Sequence, residues 1–257
     1  MLKLKSLQIV PNRDALARIP SGKVLINTIN AHSFNTAQKD SLFAEALAKG
    51  DYLIPDGASI VKACRWLKAK SQPTERIAGW DLFSFEMEKV NSQFTILNSQ
   101  FTSENSHSKP RVMFMGSSER VLSLIREKAA TVYPNLEVVT YSPPYKPVFS
   151  DEDNQAIIQA INDANPDLLW IGMTAPKQEK WAYSHWGELH IHCHVGTIGA
   201  VFDFFAGTAK RAPKWWQEHS LEWLYRLCTE PRRMWRRYVI GNPLFLWNIL
   251  KEKMSPL

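Results

Sequence analysis

From Val24 to Val195, short apolar runs rich in β-branched residues alternate with longer segments of helical spacing. That alternation confines the chain to α/β architectures, because each parallel crossover needs a helix's length of chain to return to the sheet. The pattern predicts strands at residues 24–28, 52–54, 112–115, 137–140, 168–173 and 191–195. Core-facing helices are expected at 36–49 (Leu42, Phe43, Ala46, Leu47), 118–132 (Val121, Leu124, Ile125, Ala129) and 151–164 (Ile157, Ile158, Ile161). The expected fold is a Rossmann-like, mainly parallel sheet flanked by helices over residues 1–205, followed by a helical, basic and aromatic C-terminal appendage over 206–257. The polar, aperiodic stretch 91–109 reads as a surface insertion, and the proline-rich 141–147 as a rigid loop at a strand's carboxyl end.

Charge is unevenly placed. The net charge of +6 is carried from Lys210 onward, where ten Lys/Arg face four Glu and five of the ten tryptophans occur. Near the N-terminus, lysines interrupt each short apolar run, so no secretory signal is expected. Nowhere do about 18 uninterrupted apolar residues occur, which argues against a bilayer-spanning helix. Cys64, Cys193 and Cys228 match no zinc spacing. Together these features favour a reducing, cytoplasmic setting.

Three segments set polar side chains just beyond apolar runs: Asn27 to His32, Pro55-Asp56-Gly57-Ala-Ser59, and Gly172 to Glu179. Asp56 has two readings. It caps the helix that carries Ile60, Val61 and Cys64, or it serves as a general base, which a transfer to a hydroxyl requires within hydrogen-bond reach of that hydroxyl. Thr28 and Asn30 are two apart, so on a continuing strand they share a face and can hold sugar hydroxyls beside Asp56. In the third segment, Lys177 at a helix start suits a diphosphate or is simply solvated. Residues 195–203, with Gly196, Gly199 and Asp203, look like a nucleotide-binding turn but are not the dinucleotide fingerprint, which disfavours a dehydrogenase. His190, His192 and His194 would share one strand face, yet no carboxylate lies at ligand spacing, and no metal is expected.

These residues resemble the WecG/TagA/CpsF family of glycosyltransferases over nearly the whole chain. The resemblance rests on Thr28-Ile-Asn30, Pro55-Asp56-Gly57, Glu75-Arg76-Ile-Ala-Gly79-Trp-Asp81, Phe114-Met-Gly116, Ala175-Pro176-Lys-Gln-Glu179, Gly196 to Asp203, Arg211-Ala-Pro213, Leu221-Glu-Trp-Leu-Tyr-Arg226 and Glu230-Pro-Arg232. It implies metal-independent, cofactor-free, inverting transfer from a UDP-sugar to an undecaprenyl-diphosphate-linked acceptor in cell-surface polysaccharide synthesis. Asp56 is then the base, with Thr28, Asn30, Arg76, Lys177, Gln178, Gly196 and Asp203 about the substrates. Arg211, Arg226, Arg232, Arg233 and Arg236 are expected on phosphate or the lipid diphosphate, since guanidinium matches phosphate geometry. The basic, Trp-rich tail agrees independently with an anionic membrane surface on the inner face. A homo-oligomer on the membrane is compatible with the resemblance. The alternative is a nucleic-acid-binding α/β protein with a basic aromatic tail, which leaves Thr28, Asn30 and Asp56 without work.

Overall fold

The computed structural model describes residues 1–100, 108–219 and 221–255, with the side chains of 95–100 and 233 outside the description. In chain order the elements are β1 (Val24–Ile29), α1 (Ala31–Ala37), α2 (Ser41–Lys49), β2 (Tyr52–Pro55), α3 (Ala58–Leu67), α4 (Gly79–Gln100), β3 (Arg111–Gly116) and α5 (Glu119–Val132). There follow β4 (Glu137–Tyr141), α6 (Asp151–Ala164), β5 (Leu168–Gly172), α7 (Lys177–Ser184), β6 (His194–Thr197) and α8 (Gly199–Ala206). The C-terminal segment carries α9 (Lys214–Glu218), α10 (Glu222–Thr229), α11 (Pro231–Trp235), a π-helical turn at Arg236–Ile240, and α12 (Gly241–Met254). The strands form one six-stranded sheet in the order β2-β1-β6-β5-β3-β4, parallel in its recorded pairs. β5 is buried at every residue, as expected of a parallel strand covered on both faces, which therefore reads as an unbroken apolar run.

The helices at 118–132 and 151–164 begin where hydroxyl caps dictate. Ser118 Oγ accepts from Val121 N, and Ser150 and Asp153 form a reciprocal capping box. Three expectations are corrected. The helix expected at 36–49 is two, because Asp40 accepts from Phe43 N at 2.9 Å and starts α2 afresh. Residues 91–100 continue α4 rather than forming an insertion; residues 101–107 lie outside the described residues. The last strand begins at His194, not at 191, so His190, His192 and His194 do not lie together on one strand face.

By internal contacts the chain divides into two compact units. One comprises Met1–Arg18, Asn27–Ala78 and Lys210–Leu257, so the C-terminal helices share it with the N-terminus. Its core joins Leu4, Ile29, Phe34, Phe43, Leu53 and Ile60 to Phe245 and Ile249 of α12. Glu252 of the same helix accepts from Leu4 N at 3.0 Å and Lys5 N at 2.6 Å, satisfying backbone donors that apolar packing alone would strand. The other unit comprises Ile19–Ile26 and Gly79–Ala209, with Met113, Met115, Ile157, Leu169, Ile171 and Val195 at its core. Among the described residues, no helix is long and apolar enough to cross a membrane.

Candidate active site

In the first unit, Asp56 follows the last residue of β2. Gly57 is the N-cap of α3, so Asp56 stands one position before the cap, between the end of β2 and the first turn of the helix. A Cβ built on Gly57 would lie 3.5 Å from Asn30 Cβ, which shows how closely the segment carrying Asp56 passes Asn30. Arg76 arrives by backbone bonding. Thr74 N donates to Pro11 O at 2.9 Å, and Ile77 N donates to Pro55 O at 3.1 Å, pinning residues 74–77 along the end of β2.

The Arg76 guanidinium is shared between two carboxylates. Its Nε lies 3.9 Å from Asp56 Oδ1, while its Nη2 contacts Glu222 Oε2 on α10. Glu222 Oε1 in turn faces Arg211 Nε at 3.4 Å. The Asp56 side chain is 31% exposed and its partners 20–24%. Such exposure limits each pair's net contribution to about 1 kcal/mol. Orientation of charge, not stability, is therefore what this alternating network supplies.

Asn30 is not a strand residue. It is the N-cap of α1, and its Oδ1 accepts from His32 N and Ser33 N, each at 3.0 Å. With that oxygen committed, the Nδ2 amide is the part able to donate to a hydroxyl. Thr28, half-buried on β1, is two residues away. Burial, and then the Arg237 charge, hold the His32 imidazole below its ordinary pKa, which favours the neutral ring. Arg226 is half-buried, whereas Arg232 and Arg236 are exposed. Arg236 lies over the Trp235 ring at 5.3 Å. The Arg233 side chain is outside the described residues.

The second unit holds the remaining expected site residues, and several have structural work that the sequence reading did not foresee. Gln178 is 4% exposed, and its Oε1 accepts from both Met173 N and Gly199 N at 3.1 Å. It therefore staples the loop after β5 to the start of α8. Its Nε2 donates to Glu179 Oε1 at 2.9 Å. Burial pushes the Glu179 carboxyl up to about 7, and its Oε2 has no hydrogen-bond partner. Lys177 turns away from the start of its own helix: Nζ donates to Lys146 O and sits 3.4 Å over the Phe149 ring, and burial lowers its pKa.

The close approach at Gly196 is internal, because a Cβ there would lie 2.2 Å from the Trp170 indole. Asp203 is exposed, and its carbonyl and carboxylate receive the Thr208 hydroxyl at the end of α8. His194 is buried, with Nδ1 3.0 Å from Glu86 Oε1 and Nε2 2.9 Å from Pro20 O. Both partners offer acceptor oxygens, an arrangement that favours the doubly protonated ring. Among the described residues, no group of three His, Cys, Asp or Glu is placed to hold a metal ion.

Glu222 is the member of the network that sequence reasoning passed over as a site residue. It stands in Leu221-Glu-Trp, and as the first residue of α10 it reads as an ordinary acidic helix start. Only the fold reveals that it meets two arginines.

Comparison with known proteins bears on what such a site does. The model of the glycosyl transferase WecG/TagA/CpsF family matches residues 6–257. A Bacillus subtilis (strain 168) protein named N-acetylglucosaminyldiphosphoundecaprenol N-acetyl-beta-D-mannosaminyltransferase is 29% identical over 231 residues, covering 90% of this chain and 80% of its own. A protein of the same name from Staphylococcus aureus (strain NCTC 8325 / PS 47) is 27% identical over 251 residues, covering 96% and 88%.

Proposed function

The chain belongs to the WecG/TagA/CpsF family of glycosyl transferases and is a glycosyltransferase, and on that premise we propose that it moves an N-acetylmannosamine-type sugar from a UDP-sugar to a polyprenyl-diphosphate-linked N-acetylglucosamine. The names of the relatives supply the sugar and the acceptor. The observation that carries the mechanism is Asp56 at the mouth of β2, part-exposed and flanked by the Arg76 guanidinium. Open α/β sheets bind ligands beyond the carboxyl ends of their strands, and the residue stands at such an end.

In this reading the Asp56 carboxylate takes the proton from the acceptor hydroxyl as its oxygen attacks the anomeric carbon. The bond from that carbon to the UDP oxygen breaks on the opposite face, so configuration inverts. UDP departs with the electron pair, and no metal is assigned a role. Arginines of the C-terminal segment, Arg211, Arg226, Arg232 and Arg236 among them, supply charge to the diphosphates. Thr28 and the Asn30 amide orient sugar hydroxyls.

An anionic membrane surface is the setting in which a polyprenyl acceptor is met. On α12, Phe245 and Ile249 face the core, while Leu246, Trp247, Leu250 and Met254 are exposed, with Val239 and Ile240 just before them. An uncovered apolar stripe beside Lys251 and Lys253 suits the head-group region.

The test is Asp56→Asn, assayed by UDP release with UDP-N-acetylmannosamine and a short-chain lipid-diphosphate N-acetylglucosamine. Turnover is expected to fall by about 10²- to 10⁴-fold, the usual worth of general base catalysis, while donor binding persists. Turnover near that of the unaltered protein would remove Asp56 from the chemistry.

A further inference from the structure

Asp56, Arg76, Glu222 and Arg211 form a chain of alternating charge within one compact unit. A guanidinium grips a carboxylate side-on through the edge formed by Nε and Nη2. On Arg76 that edge is divided: Nη2 is on Glu222, and Nε is 3.9 Å from Asp56, beyond hydrogen-bond reach.

We infer that Glu222 is a positioning residue, whose carboxylate holds Arg76 and Arg211 together and thereby keeps the Arg76 guanidinium from closing a two-pronged salt bridge on Asp56. The inference rests on Asp56 being the base. Were Glu222 uncharged, the whole Nε and Nη2 edge would be available to Asp56. A carboxylate so gripped is a weaker base, because the ion pair favours its ionised form, and its lone pairs are turned from an incoming hydroxyl. Arg76 at its present distance still supplies positive charge to the site. Arg211 reaches the same carboxylate from the start of the C-terminal segment, so one residue of α10 couples the order of that segment to the state of the base.

The experiment is a double-mutant cycle on the full chain with Glu222→Gln, Arg76→Gln and the pair, reading kcat and donor KM across pH together with thermal melting. Glu222→Gln is expected to lower kcat by about threefold to tenfold and to move the acid limb of the kcat profile down by about one pH unit, with donor KM changed by less than about twofold. In the Arg76→Gln background the further Glu222→Gln change is expected to leave the acid limb where it is, since Glu222 acts through Arg76. An unmoved limb in Glu222→Gln with an unchanged melting point overturns the inference. A limb that moves equally in the Arg76→Gln background also overturns it, by showing a direct field on Asp56. Should Glu222→Gln fail to fold, Glu222→Asp, whose shorter side chain loosens the hold on Arg76, takes its place in the cycle: a limb moved down only where Arg76 is present is expected, and an unmoved limb overturns the inference. Failure of the base assignment is separately visible, as an acid limb that survives Asp56→Asn.

Discussion

Replacing Gln178 with alanine tests whether that side chain serves the sugars or the backbone. Its Oε1 is the acceptor for two part-buried amides, Met173 N and Gly199 N, both at 3.1 Å, and its Nε2 satisfies one oxygen of Glu179. Truncation strands two donors and leaves Glu179, whose Oε2 already lacks a partner, with neither oxygen bonded to Gln178. At about 1 kcal/mol for each lost bond, with the desolvation penalty of the orphaned groups included, the loss is roughly 3 kcal/mol. For a chain of this size, about 2–4 °C accompanies each kcal/mol, so the melting point should fall by about 6–12 °C. Thermal unfolding followed by circular dichroism, without any substrate, reads this directly. If Gln178→Ala melts within about 2 °C of the unaltered protein, the staple contributes little and the side chain is available to a ligand after all.

Two further outcomes are expected. The Glu86 carboxylate and the Pro20 carbonyl outweigh burial and raise the His194 pKa above 6.5, with Lys89 the opposing charge nearby. The stabilisation this brings is complete below the unfolded value and is lost as pH rises through the folded one, so His194→Gln should destabilise more at about pH 5.5 than at about pH 8.5. Equal loss at both would mean that the ring is not charged in the fold. On α12, the double change Leu246→Glu and Leu250→Glu alters exposed positions only and should cut co-flotation with vesicles of anionic lipid severalfold while leaving the melting point unmoved; undiminished flotation would dissociate that face from the membrane.

Much of the α/β body was legible because its signals are local. A buried parallel strand announces itself as an apolar run, and a serine cap needs only amides two or three residues on. Ser118 and Ser150 therefore stand where α5 and α6 begin. Where the reading slipped, a second local signal competed with periodicity. Apolar spacing runs through residues 36–49, yet the Asp40 side chain bonds Phe43 N and divides them. The alternation from His190 to His194 looks like a strand, yet pairing with β1 and β5 begins only at His194.

By itself the sequence established the fold class, the place of Asp56 beyond an apolar run, and the concentration of positive charge and tryptophan after Lys210. These follow from composition and period, which need no knowledge of distant neighbours. Only the tertiary structure decided what the polar side chains near those runs are spent on. Asn30 and Gln178 bond backbone amides, Gly196 makes room for Trp170, and Glu222, 146 positions from Arg76 in the numbering, takes hold of its guanidinium. The reason is physical: hydrogen bonds and ion pairs act over a few ångströms of space, and a linear sequence does not specify which remote donor or charge will come within them.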